Sequence, residues 1–309
     1  MSFSRPSPLK VCVGVYALIY LAIIIHFYPS RTDPPEAIHF QPTPEQQVFY
    51  DEAFDSRQAR YDSIVRSVAE RMHIREQFEK FVAAGKLSGA RVLEVGSGAG
   101  ALQDVVADYT GLDISATARS RYHKPFVQAD ARAIPFADGE FDMVWTVWVL
   151  EHVPNPEQAL REMRRVLKPG GVLILDPAWL CSDLAANGYP VRPYSDFGLG
   201  GKLIKATVPI QTSMSFQAMY MLPIRVSRLL SWKLLGGPTA FHYRPLEANY
   251  KDYWMGDSDA VNSFDLFEAY LWFESRGDRC INCPSLWKMM RLSDMALAIR
   301  VKLPEAGAQ

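Results

Sequence analysis

Cysteine is scarce in this chain, with only four among 309 residues. A disulfide framework in a chain of this length would need more, so that class of small secreted scaffold is excluded. Cys280 and Cys283 form a Cys-x-x-Cys pair, but a zinc site needs four ligands and no second pair stands at a usable spacing. We therefore expect no bound metal. Reduced thiols are the favoured interpretation of this pair, with a local disulfide or redox pair as the alternative.

An excess of charge of either sign is also missing. The sequence has 33 Lys and Arg against 34 Asp and Glu, which gives a formal net charge of -1. Proteins that bind nucleic acid rely on positive charge, so we expect no nucleic-acid partner. The composition, 49% hydrophobic and 22% charged, is that of a globular protein. The length allows one large α/β domain with appendages.

Formal charge is absent from residues 11–28, which read VCVGVYALIYLAIIIHFY. As a helix this stretch would reach about 27 Å, close to the thickness of a bilayer core. Arg5 and Lys10 precede it as in a signal peptide, but no small-x-small cleavage site follows. We therefore predict an uncleaved membrane anchor over residues 1–28, with a cleaved signal or a buried core helix as alternatives.

The residues after the anchor divide into a linker and one large domain. Residues 29–45 are rich in proline and turn-forming residues, which predicts a linker. Thr43 is a plausible helix cap, and helices should follow to a stop at Gly85. The remaining residues, 46–309, are predicted to form the domain.

A glycine run follows a short apolar segment near the middle of the chain. Residues 91–95 have the apolar bias of a buried parallel strand, and GSGAG follows at residues 96–100. Such a strand-to-helix turn lets a ligand approach the backbone. The run also satisfies the loose dinucleotide-binding fingerprint, so the spacing further along must decide between ligands.

Acidic residues end the next predicted strands. YTGLDIS ends at Asp113, FVQADARAIPF carries Asp130, and FDMVWTVWVLEHV runs into Glu151 and His152. An amphipathic helix, a Lys-Pro-Gly-Gly turn and a fifth strand follow. This repetition over about 90 residues predicts a doubly wound parallel sheet with its ligand at the carboxyl ends of the strands.

These motifs, in this order, resemble the class I S-adenosylmethionine-dependent methyltransferases, in particular the type 11 branch with the quinone C-methyltransferases. The resemblance spans about Arg91 to Pro177. It implies a Rossmann-like, mostly parallel seven-stranded sheet, with residues 89–177 as the cofactor half. It also implies S-adenosyl-L-methionine as cofactor, bound at Glu94, Gly96, Ser97, Gly98, Gly100, Asp113, Ile114, Asp130, Ala131 and Trp148.

The resemblance also implies a role for each acid in that set. The glycine loop would take the methionine part of the cofactor, Asp113 the ribose hydroxyls, and Asp130 with the backbone of Ala131 the adenine. The chemistry agrees, since this cofactor has one ribose, an exocyclic amine and no pyrophosphate that clustered acids would repel.

His152 is the predicted catalytic residue. It follows the fourth strand, and its ordinary pKa of about 6.5 suits a general base. The alternative is that LEHV only opens a helix. Glu151 is expected to be a structural cap or a ligand of the cofactor's amino group, and Asp176 lies where substrate could reach.

The acceptor side is predicted from residues 178–241, an apolar insertion where such folds build substrate lids. A helix from Pro223 to Gly236 would place Val226, Leu229, Leu230 and Leu234 on one face, either against a core or on an anionic membrane surface. Residues 242–303 should supply a sixth strand at 242–254, a helix stopped by Gly277 and a last strand at 295–303. Asp257, Asp259 and Asn262 could contact a polyhydroxyl acceptor, although turn formation is the more common use.

The main functional expectation is O-methylation of an amphipathic small molecule, such as a glycolipid or lipid-linked sugar. C-methylation of a quinone or other lipid ring is one alternative, and a non-catalytic membrane protein that retains a cofactor pocket is another. The cofactor is made in the cytosol, so we expect the catalytic domain to face it. The charges that flank residues 11–28 weakly favour the opposite orientation.

Overall fold

A seven-stranded sheet organises the protein in a computed structural model that describes residues 8–34, 43–53 and 59–302. In this part of the chain the strands are β1 Val92–Val95, β2 Tyr109–Asp113, β3 Phe126–Gln128, β4 Phe141–Val147, β5 Leu167–Asp176, β6 Arg244–Pro245, β7 Asn262–Ser263, β8 Arg279–Cys280 and β9 Leu297–Arg300. The main sheet has the order β3-β2-β1-β4-β5-β9-β8. Strands β1 to β5 run parallel, and β9 is antiparallel to both of its neighbours. The Rossmann-like sheet predicted from the sequence is therefore present.

Helices cover both faces of this sheet. They are α1 Pro8–Phe27, α2 Pro44–Ala53, α3 Ala59–Arg71, α4 Ile74–Gly85, α5 Pro156–Val166, α6 Asp183–Ala186, α7 Leu199–Gln211, α8 Met214–Leu235, α9 Leu266–Glu274 and α10 Leu286–Met289. Thr43 caps α2 by accepting a hydrogen bond from the Gln46 amide at 3.2 Å, and α4 ends at Gly85, both as predicted.

Successive residues of β1 pack into different cores. Val92 joins a cluster with Phe78 and Val82 of α4, whereas Leu93 joins the cluster beneath α5 and α9. All four residues of β1 are buried. A parallel strand covered on both faces favours apolar residues on either side of the strand, which explains Val92, Leu93 and Val95. Glu94 is the exception, a buried acid within this strand.

The N-terminal helix differs from the predicted anchor. In the described part of the chain, no helix is both long enough and apolar enough to cross a membrane. Residues 11–28 lie largely on α1, whose last turns pack on α8, where the Phe27 and Tyr220 rings stack with centroids 4.2 Å apart. The structure therefore does not support the transmembrane helix.

Three other expectations about elements need correction. Residues 242–254 do not supply the sixth strand of the main sheet, because β6 pairs only with β7 in a separate two-stranded sheet and β8 takes that place. The helix expected to begin at Pro223 begins at Met214 and contains that proline. Residues 101–108, after the glycines, form turns rather than a regular helix.

The cysteine pair also differs from the favoured interpretation. Cys280 and Cys283 are joined by a disulfide, with their Cα atoms 5.5 Å apart. The bridge closes the short turn after β8, and both residues pack against the larger core cluster. The structure therefore shows the local disulfide that the sequence offered as an alternative.

Candidate active site

One cavity of about 990 Å³ opens at the carboxyl ends of β1, β2, β4 and β5. The topology predicts this place, because the loops that leave neighbouring parallel strands meet at one edge of the sheet. Of the predicted site residues, those that line the cavity are Glu94, Gly96, Ser97, Gly98, Asp113, Ile114, Asp130, Ala131, Trp148 and His152. Gly100 is not part of its wall.

The glycine loop turns sharply at the end of β1. Gly96 has a φ of +71°, and a Cβ atom there would lie 2.2 Å from a methyl carbon of Val149. The amides of Gly96 and Ser97 both donate to the Leu112 carbonyl, at 2.8 and 3.0 Å, which fixes the loop against β2. The position therefore needs glycine for its backbone angle and for space.

Asp113 holds the same loop from the end of β2. Its carboxylate accepts the Gly98 amide at 2.8 Å and the Ser115 amide at 2.9 Å. Burial raises the pKa of this carboxyl, although these amides act against the shift. Each carboxylate oxygen has a second lone pair, so Asp113 can still accept a hydroxyl group from the cavity.

Glu94 lies at the base of the cavity, at the centre of the sheet. The Tyr109 hydroxyl donates to one of its carboxyl oxygens. Burial raises the pKa of Glu94 to about 8, so the acid is mainly uncharged at neutral pH. A positive group placed beside it would reverse that shift.

His152 lies in a wall of the cavity among acidic side chains. Its Nδ1 atom is 3.3 Å from Asp259 Oδ2, and its Nε2 atom is 3.8 Å from Glu151 Oε1. Burial opposes the charged imidazole, but Asp259 and Glu151 outweigh it and raise the pKa of His152. Tyr50 donates to Asp259 Oδ2 at 2.6 Å, which holds that carboxylate behind the ring.

Glu151 and Asp257 complete the acidic surroundings of His152. Glu151 is fully buried outside the cavity wall, accepts the Ala178 amide at 3.0 Å, and has its pKa raised to about 8 by burial. This supports the structural role for Glu151 rather than a contact with the cofactor. The potential ligand atoms of Glu151, His152 and Asp257 lie within 4.8 Å of one another, so the expectation of no metal stays a prediction.

Aromatic side chains form the wall near His152. Tyr50, Tyr61 and Tyr253 line the cavity, and the rings of Tyr61 and Tyr253 lie 4.9 Å apart. Phe49 packs behind them. Sequence reasoning missed these residues because they come from α2, α3 and a distant loop, and no local motif marks them.

Two of the three predicted acceptor contacts have other partners. The Asn262 amide donates to the Val153 carbonyl at 2.6 Å, and Asp259 lies behind His152. Only Asp257 of the three lines the cavity, in the left-handed region with a φ of +63°. Asp176 also lines it, and burial raises the pKa of this carboxyl to about 6.

Comparison with known proteins shows the family of this chain. The profile of a methyltransferase domain matches residues 93–175. The ubiquinone/menaquinone biosynthesis C-methyltransferase UbiE of Hahella chejuensis is 32% identical over 184 residues, which cover 53% of this chain and 73% of that protein. The protein of the same name from Pseudomonas entomophila is 32% identical over 202 residues, or 56% of this chain and 79% of the relative. The chain belongs to the class I S-adenosylmethionine-dependent methyltransferases.

Among solved structures, an S-adenosylmethionine-dependent methyltransferase of Mesorhizobium loti aligns with 20% identity and a TM-score of 0.29. The alignment covers 31% of this chain and 51% of that one. The fold of this methyltransferase is established by its own sheet order, which is independent of that alignment.

The cavity fits the cofactor of a class I methyltransferase. The Ser97 hydroxyl is buried with no hydrogen-bond partner among the described residues, and it lies in the cavity wall. S-adenosylmethionine carries a positive sulfonium and an ammonium group, for which Glu94 offers the opposite charge once it ionises. Asp113 has free lone pairs for the ribose hydroxyls.

Asp130 has a partner that the sequence analysis did not anticipate. Its carboxylate binds the Arg132 guanidinium in a bidentate pair, at 2.9 and 2.6 Å. Arg132 also donates its backbone amide to Asp130 Oδ1 at 2.8 Å. The pair fixes the carboxylate at the cavity edge, and the contact of Asp130 with adenine stays a prediction. The sequence does contain a signal for this pair, since Arg132 follows Asp130 by two residues in the loop after β3.

Proposed function

We propose that this methyltransferase transfers a methyl group to a carbon atom of a hydroxylated, quinone-type ring carried by an apolar molecule. The observation that carries the proposal is the aromatic wall of Tyr50, Tyr61 and Tyr253 beside His152. Offset and edge-to-face contacts make such a wall favourable for a flat ring.

The acidic side chains around His152 favour a ring acceptor over an aliphatic hydroxyl. An aliphatic hydroxyl is a weak acid and needs a neutral base to take its proton. The raised pKa of His152 favours the charged imidazolium, which cannot take a proton but can donate a hydrogen bond to an anion. A phenolic ring ionises more readily and directs electron density to its own carbon atoms.

The proposed step balances without a further reagent. When bound, S-adenosylmethionine supplies an electrophilic methyl group on sulfur. The ring carbon forms a bond to that methyl group, and the carbon–sulfur bond breaks with its electron pair on sulfur. The ring carbon then loses its proton to water and the ring becomes aromatic again. The chain's task is to align the ring and to exclude water from the reacting atoms until the methyl group has been transferred.

The relatives support carbon rather than oxygen as the acceptor atom, because both are named C-methyltransferases. The O-methylation of a glycolipid or lipid-linked sugar is the second candidate. One feature favours it, the Asp257 carboxylate, which reaches the cavity and could bind hydroxyl groups. We also propose that the catalytic domain faces the cytosol, where the cofactor is made.

The test begins with methyl-labelled S-adenosylmethionine, the full-length protein and an extract of its source cells. The organic-phase product is treated with hydriodic acid, which removes methyl groups from oxygen but not from ring carbon. Retained label supports C-methylation, and released methyl iodide contradicts it. Asp113→Ala, which should not bind cofactor, is the background control.

A variant of His152 separates the two reactions kinetically. If the acceptor's own phenolate drives the reaction, His152→Ala should lower kcat only a few-fold. A loss of about 100-fold or more would indicate a histidine base and an oxygen acceptor. Tyr50→Phe removes only the hydroxyl that holds Asp259, and it serves as the mild comparison.

A further inference from the structure

The acceptor end of the cavity opens beside an apolar surface. Leu180 and Gln217 line the cavity. Leu180 also packs into a cluster with Tyr220 and Ile224 of α8 and Phe27 of α1. The mouth of the active site and the contact between α1 and α8 are therefore continuous.

Apolar side chains on α7 and α8 remain exposed, and we call this surface the α7–α8 face. Its members are Leu199, Leu203, Ile210, Leu222, Val226, Leu230 and Leu234. The last four recur every fourth residue and so lie along one side of α8. The buried residues Tyr220, Met221 and Ile224 take the other side. Of the predicted apolar stripe, Val226, Leu230 and Leu234 face away from the core, whereas Leu229 packs against it.

The N-terminal helix carries a second exposed apolar surface. Residues 12–19 of α1 are all exposed, and none of them carries a formal charge. The second half of α1 contacts α8, through the apolar side chains of Ile23, Ile24 and Phe27 and through the Tyr20 hydroxyl, which donates to the Met219 carbonyl at 2.9 Å. An exposed apolar surface of this size is typical of a site that contacts another protein or a membrane.

The charge of these segments favours one kind of contact surface. The sequence has no Asp or Glu before Asp33 and none between Asp196 and Glu247. Exposed Lys202 and Lys233 lie within the second segment. The protein as a whole has nearly equal numbers of acidic and basic residues, yet the two segments that carry the apolar surface contain no acidic residue. This distribution of charge and apolar side chains complements an anionic lipid bilayer, whose headgroups are negatively charged and whose acyl chains are apolar.

We propose that α1 and the α7–α8 face lie on an anionic membrane, and that the acceptor enters the cavity from that membrane between Leu180 and Gln217. The entry route rests on the proposed function, because it assumes an apolar acceptor. The membrane contact does not. A lipid-borne ring would pass from the bilayer to the aromatic wall without crossing water, which removes the cost of exposing its tail.

Vesicle flotation tests the membrane contact. The full-length protein should float with vesicles of phosphatidylcholine and phosphatidylglycerol, and less with phosphatidylcholine alone or in high salt. Leu230 and Leu234 are 54% and 81% exposed. The double variant Leu230→Gln/Leu234→Gln should bind anionic vesicles at least about 10-fold more weakly. Trp287→Gln, at a side chain 71% exposed on α10, is the matched control and should bind as the wild type does.

Methylation of two probes tests the entry route. The probes are a long-chain polyprenyl hydroquinone in anionic vesicles and a short-chain, water-soluble hydroquinone. The double variant should keep its rate on the soluble probe and lose at least about 10-fold on the vesicle probe. Gln217→Trp narrows the mouth and should slow the long-chain probe more than the short one. Equal losses on both probes would contradict the route.

Three results would overturn the membrane contact. One is a wild-type protein that does not float with anionic vesicles. Another is a double variant that floats as well as the wild type. The third is a dimer in light scattering that the double variant converts to a monomer without any vesicle binding, because this face would then join two copies. If neither hydroquinone is methylated, the proposed acceptor is wrong, and flotation still decides the membrane contact.

Discussion

The Glu94 carboxyl is mainly uncharged at neutral pH, because burial raises its pKa to about 8. S-adenosylmethionine brings positive charge to this site, so its binding should ionise Glu94 and release a proton. Below pH 8 that proton must leave on binding. We expect the affinity for the cofactor to fall about 10-fold for each pH unit below pH 8.

Calorimetry between pH 6 and pH 9 measures this dependence. Glu94→Gln cannot ionise, so its affinity should be weaker at pH 9 and should vary much less with pH. Comparison of the two proteins cancels titration of the cofactor itself. The same slope in both proteins would show that Glu94 is not the titrating group.

Gly96 should not tolerate even one added carbon. A Cβ atom at this position would lie 2.2 Å from Val149 and would need a φ of +71°. We expect Gly96→Ala to weaken cofactor binding at least about 10-fold, since the left-handed angle alone costs about 1–2 kcal/mol. Gly89→Ala is the control, because nothing lies within 4 Å of a Cβ atom there. Titration with S-adenosylhomocysteine measures both, and wild-type affinity in Gly96→Ala would contradict the expectation.

The cavity residues that the sequence predicted lie at or just after the carboxyl ends of strands. Asp113 and His152 each follow a buried strand, so their position in the chain fixes their position at the sheet edge. Tyr61 and Tyr253 reach the same cavity from helices and loops whose packing depends on the whole fold. No periodicity or motif in the sequence encodes that approach, and these residues could not be predicted.

At the scale of elements, a buried ion pair connects α8 to α9. Arg225 is almost fully buried and donates to both carboxylate oxygens of Asp265, which also caps α9 through the Phe267 amide at 2.8 Å. The apolar face predicted for this helix did not include Arg225. The pair explains how an apolar stripe on α8 can face outward, since the arginine side faces α9.

Removal of one member of this pair should be costly. Arg225→Ala leaves Asp265 buried without its counterion, and we expect the free energy of unfolding to fall by about 3–5 kcal/mol. Arg75→Ala removes an exposed pair with Glu79 on α4 and should cost less than about 1 kcal/mol. Urea denaturation of both variants gives the comparison. An equal decrease in the free energy of unfolding in both variants would show that the buried pair stabilises the fold no more than the exposed pair does.

The elements that the sequence predicted well are buried and contain several adjacent apolar residues. β1, β4 and β5 have apolar runs, and α9 ends just before the Gly277 stop. The element that it missed in the main sheet, β8, has two residues, too few for any periodicity to appear. The predicted bounds of α8 were too short, because proline is common at the first position of a helix and Pro223 was taken for that position. In the structure the helix continues through Pro223 and packs on α1.

At the scale of the whole molecule, α2 packs across one side of the cavity. Asp51 of α2 accepts hydrogen bonds from the Ser115 hydroxyl and the Ala116 amide, beyond the end of β2, at 3.1 and 2.9 Å. Gln46 donates to the His152 carbonyl at 2.8 Å. The cofactor half and α2 are therefore joined directly at the cavity. The ligand-binding energy should appear in the stability of the entire domain.

That coupling gives a prediction for thermal unfolding. S-adenosylhomocysteine at about 100 times its Kd should stabilise the folded protein by about 2.7 kcal/mol. With an unfolding entropy of about 2.1 cal/mol/K per residue, this corresponds to a rise in Tm of about 4 °C. Differential scanning calorimetry measures the shift, and Asp113→Ala should show none at the same concentration.

NAD is the decisive comparison ligand, because the glycine run alone also fits a dinucleotide. The Asp113 carboxylate in the cavity wall, which has no basic partner of its own among its hydrogen bonds, would repel its pyrophosphate. We therefore expect no shift in Tm with NAD. A shift with NAD and none with S-adenosylhomocysteine would mean that this arrangement of acids does not select the sulfonium cofactor.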